Sequence, residues 1–376
     1  MKPKFRTCGA LLGSAVLFFS VSQTRAADGT WSVDDNGAWS EDVKWTSSVI
    51  ADGAGFTANF TNDQTADATI TLDTPRSIGH LVFGDADTGT ACSWLLTGSV
   101  LTLDATTPSI TVDNLASGAS ATISTVLAGT AGLTKLGSGS LVLSGLNTYT
   151  GLTTATAGTL TISGNAIKTG ILVNGGTMNV QAGNTMSGGI TVDSGELTLS
   201  GANTFSAGTT INGGTVTSTV SLLKGTGGTG TATVTLNGGT LDMSGTNIGA
   251  ATDTVVLAAQ SGTLRNVGEV NNGAGWTKST GGTLTLAGTN TYSGNTYVHG
   301  GVLRLNSANA VPGGIGNSGG TSALIVEGGV IGLGLSDFTR SLGSGAAQVQ
   351  FKGNGGFAFS VADFPSRWPT VGLSHH

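Results

Sequence analysis

A β-solenoid is the fold the sequence predicts, from a Gly- and Thr-rich composition, short apolar–polar alternations, and strand-and-turn units that recur along the chain. Of 376 residues, 63 are Gly, 59 are Thr, only 6 are Pro and only 10% are charged. Helix is excluded first, because Gly costs about 1 kcal/mol per helical position and the β-branch of Thr disfavours the helix. Collagen is excluded by the missing three-residue Gly period and the scarcity of Pro. Disorder is disfavoured as well, since 38% of residues are hydrophobic and the charge is too low to keep a chain expanded. An all-β chain with many tight turns remains.

In chain order, residues 1–26 read as a secretory signal peptide. Lys2, Lys4 and Arg6 precede an uncharged apolar run from Cys8 to Val21, and Thr24-Arg25-Ala26 places small residues at the −3 and −1 positions. That run falls short of the ~20 residues that span a bilayer, so cleavage between Ala26 and Ala27 is expected rather than anchoring. Cys8 opens the run instead of ending it, which argues against a lipoprotein cysteine. After cleavage 11 Lys and Arg face 21 Asp and Glu. No basic stripe is left for a phosphate backbone, and no nucleic-acid partner is expected. Cys92 is then the only cysteine, so stability cannot rest on disulfides.

Residues 27–60 carry Gly29-Thr30-Trp31, Ala38-Trp39-Ser40 and Val43-Lys44-Trp45, and read as a Trp-rich N-terminal cap before a solenoid over 61–356. Within the solenoid the strongest signal is self-similarity. Gly132-Leu133-Thr134-Lys135 opens a block over 132–162 that continues through Leu141, Leu143, Gly145, Asn147, Tyr149 and Thr153. Gly275-Trp276-Thr277-Lys278 opens a second over 275–305, with Leu284, Leu286, Gly288, Asn290, Tyr292 and Thr296 in the same register. A third copy over 194–216 has Leu197, Leu199, Gly201, Asn203, Phe205 and Thr209.

A shorter unit recurs at Val173-Asn174-Gly175-Gly176, Val192-Asp193-Ser194-Gly195, Ile211-Asn212-Gly213-Gly214, Leu236-Asn237-Gly238-Gly239, Val298-His299-Gly300-Gly301 and Val326-Glu327-Gly328-Gly329. From Ala155 through Val173, Val192, Ile211 and Leu236 the register advances by 18, 19, 19 and 25 residues. Such a period carries two or three short strands, one rung of a solenoid. Alternation as in Leu197-Thr198-Leu199 turns one strand face to a core, and Thr suits the outward positions without adding charge. Asn-Gly and Gly-Gly supply the positive φ that a two-residue corner needs. A rung cannot bury its apolar face alone, whereas stacking on a neighbour buries it and pairs its backbone in one step. The rival all-β reading, a string of sandwiches, needs regularly placed core Trp or Cys that this sequence lacks.

In order and spacing, the three long copies resemble the autotransporter-associated β-strand repeat, also called the passenger-associated transport repeat. The Trp-bearing opening is similar to the start of large secreted bacterial proteins that carry it. This resemblance implies a right-handed, single-stranded parallel β-helix in a secreted or surface-displayed passenger domain. It also implies that the repeats assist export and folding at the outer membrane and perform no chemistry, with the matched Lys, Leu, Gly, Asn and aromatic positions structural. Relatives end in an outer-membrane β-barrel or a sorting signal. Here 357–376 runs through Ala362-Asp363-Phe364-Pro365-Ser366-Arg367-Trp368-Pro369 to His375-His376 and loses the Gly/Thr pattern. A truncated or aberrant tail is therefore expected, with the outer membrane reached only through a missing anchor.

Gly-rich sequences also generate false motifs. Gly225-Thr226-Gly227-Gly228-Thr229-Gly230 fits a dinucleotide-binding turn, but no helix pattern follows to supply its N–H cradle. Gly316-Asn317-Ser318-Gly319-Gly320 fits a nucleophile turn, yet a Ser318–His299–Asp337 triad would take its base from a corner slot that other copies fill with Asn or Asp. No His/Cys spacing suits a metal, and no cofactor is expected. Asp193, Glu196, Asp242 and Glu327 are the acids a β-helix glycosidase or lyase would use, and read as solvated loop residues. Tyr149, Phe205, Tyr292 and Tyr297 form either a sugar-stacking ladder or packed corners, the latter favoured. The expectation is a non-enzymatic scaffold or adhesin of the secreted or cell-surface kind, with a glycan or surface polymer as partner. The alternative is a carbohydrate-active β-helix enzyme.

Overall fold

The computed structural model describes residues 26–163, 170–181, 184–201, 203–205, 207–224, 232–252, 254–316, 320–334 and 338–359. The signal segment, the Gly225–Gly230 match and the chain beyond 359 lie outside them. Apart from two short 3-10 turns near the N-terminus, at Asp42–Lys44 and Thr46–Ser48, the described elements are strands, and every pairing between them is parallel. This is the predicted β-solenoid.

In each turn the chain runs along a first face, rounds a short corner to a second, and returns by a third. On the first face Thr153–Ala155 pairs with the start of Ile171–Val180, which pairs with the start of Ile190–Leu199, then Thr209–Ile211, then Ala232–Asp242. On the second face Ser140–Leu143 pairs with Thr159–Ile162, followed by the ends of the same two long strands and Thr215–Ser218. The third face is thinner, with two-residue strands at Thr185–Met186, Thr204–Phe205 and Leu223–Lys224. The register read from sequence holds residue by residue: Ala155 stacks on Val173, Val173 on Val192, Val192 on Ile211 and Ile211 on Leu236.

Alternation makes the core. In Thr159–Ile162 the residues Leu160 and Ile162 are fully buried while Thr159 and Thr161 face outward, and Leu197 and Leu199 repeat the pattern. Each fully buried aliphatic side chain contributes roughly 1.5–3 kcal/mol, so the core gains a similar increment with every added layer. Not all Thr faces solvent, however: Thr153, Thr209 and Thr296 point inward and are buried.

The tryptophans, scattered in sequence, converge at one end. Trp31, Trp39 and Trp45 pack with Phe60, with ring centroids 5.2 Å apart for Trp39–Trp45 and 5.4 Å for Trp39–Phe60. Phe60 in turn stacks on Phe83 at 5.1 Å and meets Trp94 at 5.7 Å. Three of these indoles are tied to the backbone, Trp39 Nε1 donating to Ala51 O at 2.9 Å, Trp45 Nε1 to Trp39 O at 2.9 Å and Trp94 Nε1 to Gly84 O at 2.8 Å. Residues 27–60 also begin the ladders, since Gly29–Thr30 and Gly37–Ala38 pair in parallel with the layers that follow.

Close stacking sets the corner chemistry. At Gly214 φ is +63° and an added Cβ would lie 2.3 Å from Gly195 O in the layer beside it. Gly245 also has positive φ, +84°, but a Cβ there meets nothing within 4 Å. Both changes to Ala carry the ~1–2 kcal/mol left-handed penalty, and only the first adds a backbone collision. Gly214→Ala is therefore expected to lower the urea midpoint well beyond Gly245→Ala, and equal shifts would show that layer contact does not dictate corner glycine.

Candidate functional site

The three long copies build the same buried polar corner, and this is where the sequence-predicted residues meet. In Leu133–Leu136 the alternation that buries Leu133 also turns Lys135 inward. It lies in a column with Leu81, Ile110 and Ala155, with no exposed surface. Its Nζ donates to Leu136 O at 2.7 Å, Gly137 O at 2.8 Å and Ala157 O at 3.4 Å, closing carbonyls of its own corner and of the next layer. Lys278 repeats the arrangement against Val298, donating to Thr280 O, Thr280 Oγ1 and Gly300 O. Among the described residues neither lysine has a carboxylate in ion-pair range. Burial pulls the Lys135 ammonium down to about 8, partly opposed by Asp113, and lowers Lys278 as well. In the third copy this inward position is Val192.

The motif asparagines replace missing strand. Where the third face has no ladder partner, Asn147 Oδ1 accepts Leu127 N–H at 2.8 Å. Asn290 Oδ1 accepts Val267 N–H at 2.9 Å, while its Nδ2 donates to Ala287 O and Ala310 O. Asn203 Oδ1 accepts from both nitrogens of Asn184 at 3.0 Å, and its Nδ2 donates to Gly201 O. Leaving such buried backbone groups unmet costs about 1–3 kcal/mol each. Gly145 and Gly201 supply the corner, each carbonyl accepting the N–H of the Asn two residues on. Leu141, Leu143, Leu197, Leu199, Leu284 and Leu286 are the inward strand residues, all buried.

The aromatic position completes the corner. Tyr149 OH meets Thr153 Oγ1 at 2.7 Å, and Tyr292 OH meets Thr296 Oγ1 at 2.8 Å. Burial pushes both phenols up to about 12. Phe205 stands at the same position without a hydroxyl, and Thr209 Oγ1 is left buried with no partner among the described residues. Tyr149, Phe205 and Tyr292 are all buried, so these three rings form no exposed sugar-stacking ladder; Tyr297 alone of the four is partly exposed.

The acids are not brought together. Asp193 accepts Asn212 Nδ2 at 2.8 Å on an exposed corner, and Glu196 is exposed beyond that turn. Asp242 is held by Arg265 at 2.8 Å, Asn266 and Ser244 N–H, which keep its carboxyl below the usual range despite desolvation. Glu327 pairs with His299 at 2.7 Å in another layer. Ser318 and Asp337 lie outside the described residues. A surface depression of about 690 Å³ near Leu152, Ile171 and Leu172 has no titratable lining residue. Among the described residues no three His, Cys, Asp or Glu side chains stand close enough to hold a metal, and no helix is long and apolar enough to cross a membrane.

The passenger-associated transport repeat family model matches residues 133–162, 193–217 and 277–305, the three segments that build these corners. The chain is also 37% identical over 129 residues to the adhesin BmaC autotransporter of Brucella suis biovar 1 (strain 1330). That alignment covers 34% of this chain and 3% of the relative, so the chain spans a small part of that protein's length. No solved structure matches.

Two outcomes follow from the corners. Phe205→Tyr should satisfy Thr209 and raise stability by about 1 kcal/mol, whereas Tyr149→Phe should lower it by about 1–3 kcal/mol. Urea midpoints compare them, and a destabilising Phe205→Tyr would refute the shared geometry. The second concerns pH. Below pH 8 the folded state carries the full cost of burying the Lys135 charge. Between about 8 and 10.5 the unfolded lysine still binds its proton and the folded one does not, so stability rises with pH, by up to roughly 3 kcal/mol. Above 10 the buried tyrosines reverse the slope, because unfolded phenols ionise first. The rise from pH 8 to 10 should shrink in Lys135→Met and vanish in Lys135→Met/Lys278→Met.

Proposed function

We infer that this chain, a passenger-associated transport repeat protein, is a β-helix passenger secreted from or displayed on the cell surface, and that it acts as an elongated scaffold with an adhesive outer face. The observation that carries this reading is the use of the motif side chains. Lys135, Asn147 through its Oδ1, and Tyr149, like Lys278, Asn290 and Tyr292, make buried polar contacts within and between neighbouring layers. Chemistry on a substrate needs such groups in a cleft; here they hold rungs together.

The same contacts suit folding during export. The partners of Asn147 and Tyr149 lie within about one turn of chain, so a rung can close soon after it emerges. Solenoids nucleate locally and propagate by nearest-neighbour contacts, which favours folding in the order of emergence. The repeats would then act as closures that prevent slipping back. In one outward column Thr134 and Thr154, and beyond Leu172 then Thr191, Thr210 and Thr235, present uncharged hydroxyls in register. That surface fits a polyhydroxylated partner, a glycan or surface polymer, and the adhesin relative supports the same reading.

Intact producing cells treated with a protease, and assays of the purified chain on a polysaccharide panel, test this together. Surface cleavage or release into the medium is expected, with an N-terminus at Ala27, and binding without release of reducing ends. A turnover abolished in a folded Asp193→Asn, Glu196→Gln, Asp242→Asn or Glu327→Gln variant would replace the scaffold by an enzyme.

A further inference from the structure

The first-to-second-face corners of the N-terminal layers stack into an oxygen-rich cluster with no use in the solenoid core. They are 31–36, 61–67 and 84–93, each following a first-face strand segment. Asp85 is 3% exposed and Gln64 2% exposed, and both are held from the backbone. Asp85 Oδ1 accepts Gln64 N–H at 3.2 Å and Asp87 N–H at 3.4 Å. The amide nitrogens of Asn62 and Gln64 converge on one carbonyl, Val33 O, at 2.9 and 3.3 Å, and both also reach Asp63 O. That fixes the heads of the two amides side by side, with their oxygens turned from the carbonyl.

Three acceptor oxygens of this cluster are buried without a hydrogen-bond partner: Asn62 Oδ1, Gln64 Oε1 and Asp85 Oδ2. A buried carboxylate oxygen with neither donor nor cation costs several kcal/mol. No basic side chain supplies the lack. The cations near these corners are already committed: Arg76 is paired with Asp52 at 3.0 Å, and Lys44 donates to Asp35 at 2.7 Å and to Asn36 O at 2.8 Å. The surroundings add negative charge instead: Asp34, which accepts from Thr65 N–H at 3.1 Å and from the Thr65 hydroxyl, and Asp63 and Asp87 lie on the same corners.

We propose that these oxygens hold a calcium ion, which locks the first corners of the rod when the protein reaches a calcium-rich exterior. The donors are all hard oxygens, one carboxylate and two amides, and water would complete the shell. Ca²⁺ takes 6–8 such ligands in flexible geometry, whereas Mg²⁺ demands an octahedron and keeps its water. The neighbouring Cys92 thiol is already engaged, donating to Gln64 O at 3.2 Å. The site departs from the sequence expectation of no metal, because its donors include two amides that no His, Cys or acid spacing reveals.

The test uses the full mature chain stripped with chelator. Terbium luminescence excited through tryptophan reads occupancy, since Trp94 is bonded to Gly84 O, one residue from Asp85. Sensitised emission is expected, displaced by Ca²⁺ at concentrations at least tenfold below those of Mg²⁺, together with a thermal midpoint that rises with Ca²⁺. Asp85→Asn should weaken terbium binding at least tenfold while Asp193→Asn, on a distant exposed corner, leaves it unchanged. If circular dichroism shows Asp85→Asn unfolded, Gln64→Met takes its place. No sensitised emission, no calcium shift in the parent protein, or undiminished binding in the folded variant would overturn the proposal and leave these oxygens to water.

Discussion

Parallel stacking in register is the constraint on which the rest of this molecule depends. Each inward residue sits above and below its counterparts one turn away, so a position belongs to a column before it belongs to a strand. Ala155, Val173, Val192, Ile211 and Leu236 are one such column: backbone hydrogen bonds hold the layers about 4.8 Å apart, and the side-chain volumes must fill the interior that this spacing leaves. The same closeness forbids a Cβ at many corners, as at Gly214 against Gly195 O. Gly in this chain is thus the counterpart of the aliphatic columns, placed where the chain must turn without disturbing its neighbour.

What a column cannot accommodate is a break in the ladder, and the long repeats are the answer to it. Corners and the thin third face leave N–H and C=O groups without strand partners, and the copies supply side-chain substitutes: an amide for a missing strand in all three, and in two of them an ammonium for corner carbonyls and a phenol for an inward threonine. These are charged or polar groups in a core, so their worth depends on being fully satisfied. Copy three shows the effect of partial substitution. With Val192 in the lysine position it needs no cation, but with Phe205 in place of tyrosine it retains Thr209 and lacks the partner.

Most of the fold was legible in the sequence because it is periodic. A register of 18, 19, 19 and 25 residues names the stacked residues directly, and the Leu-x-Leu pairs name the inward face. The buried Tyr and Asn were identifiable as structural from their place in the motif. Less legible was the direction of Lys135, since charge suggests solvent even though Leu133-Thr134-Lys135 places it in phase with a buried leucine. The convergence of Trp31, Trp39, Trp45 and Trp94, and the meeting of Asn62, Gln64 and Asp85, had no sequence signal. They are contacts between different turns in layers of unequal length, 29 residues from His80 to Ser109 against 18 from Thr153 to Ile171, so no fixed offset points to them.

Irregular layers at one end and regular ones in the middle give the rod two kinds of stability. In the middle, each rung is held by near-identical neighbours, and its free energy is a local sum that hardly depends on how many rungs follow. At the Trp-rich end the rings, indole N–H groups and acidic corners come from several turns at once, so that region is cooperative and orders only when complete. A chain emerging from its C-terminal side would reach the corner of residues 275–305 and then the regular middle rungs before sealing this end; one emerging from its N-terminus would have to assemble the aromatic cluster before any regular rung could lean on it. The distribution of buried polar closures favours the first order, because Lys278, Asn290 and Tyr292 offer a self-contained corner well before the aromatic end is reached. If the chain folds as it is exported, as proposed above, the placement of the repeats answers one physical requirement, that the segment outside must hold itself together with contacts it already contains.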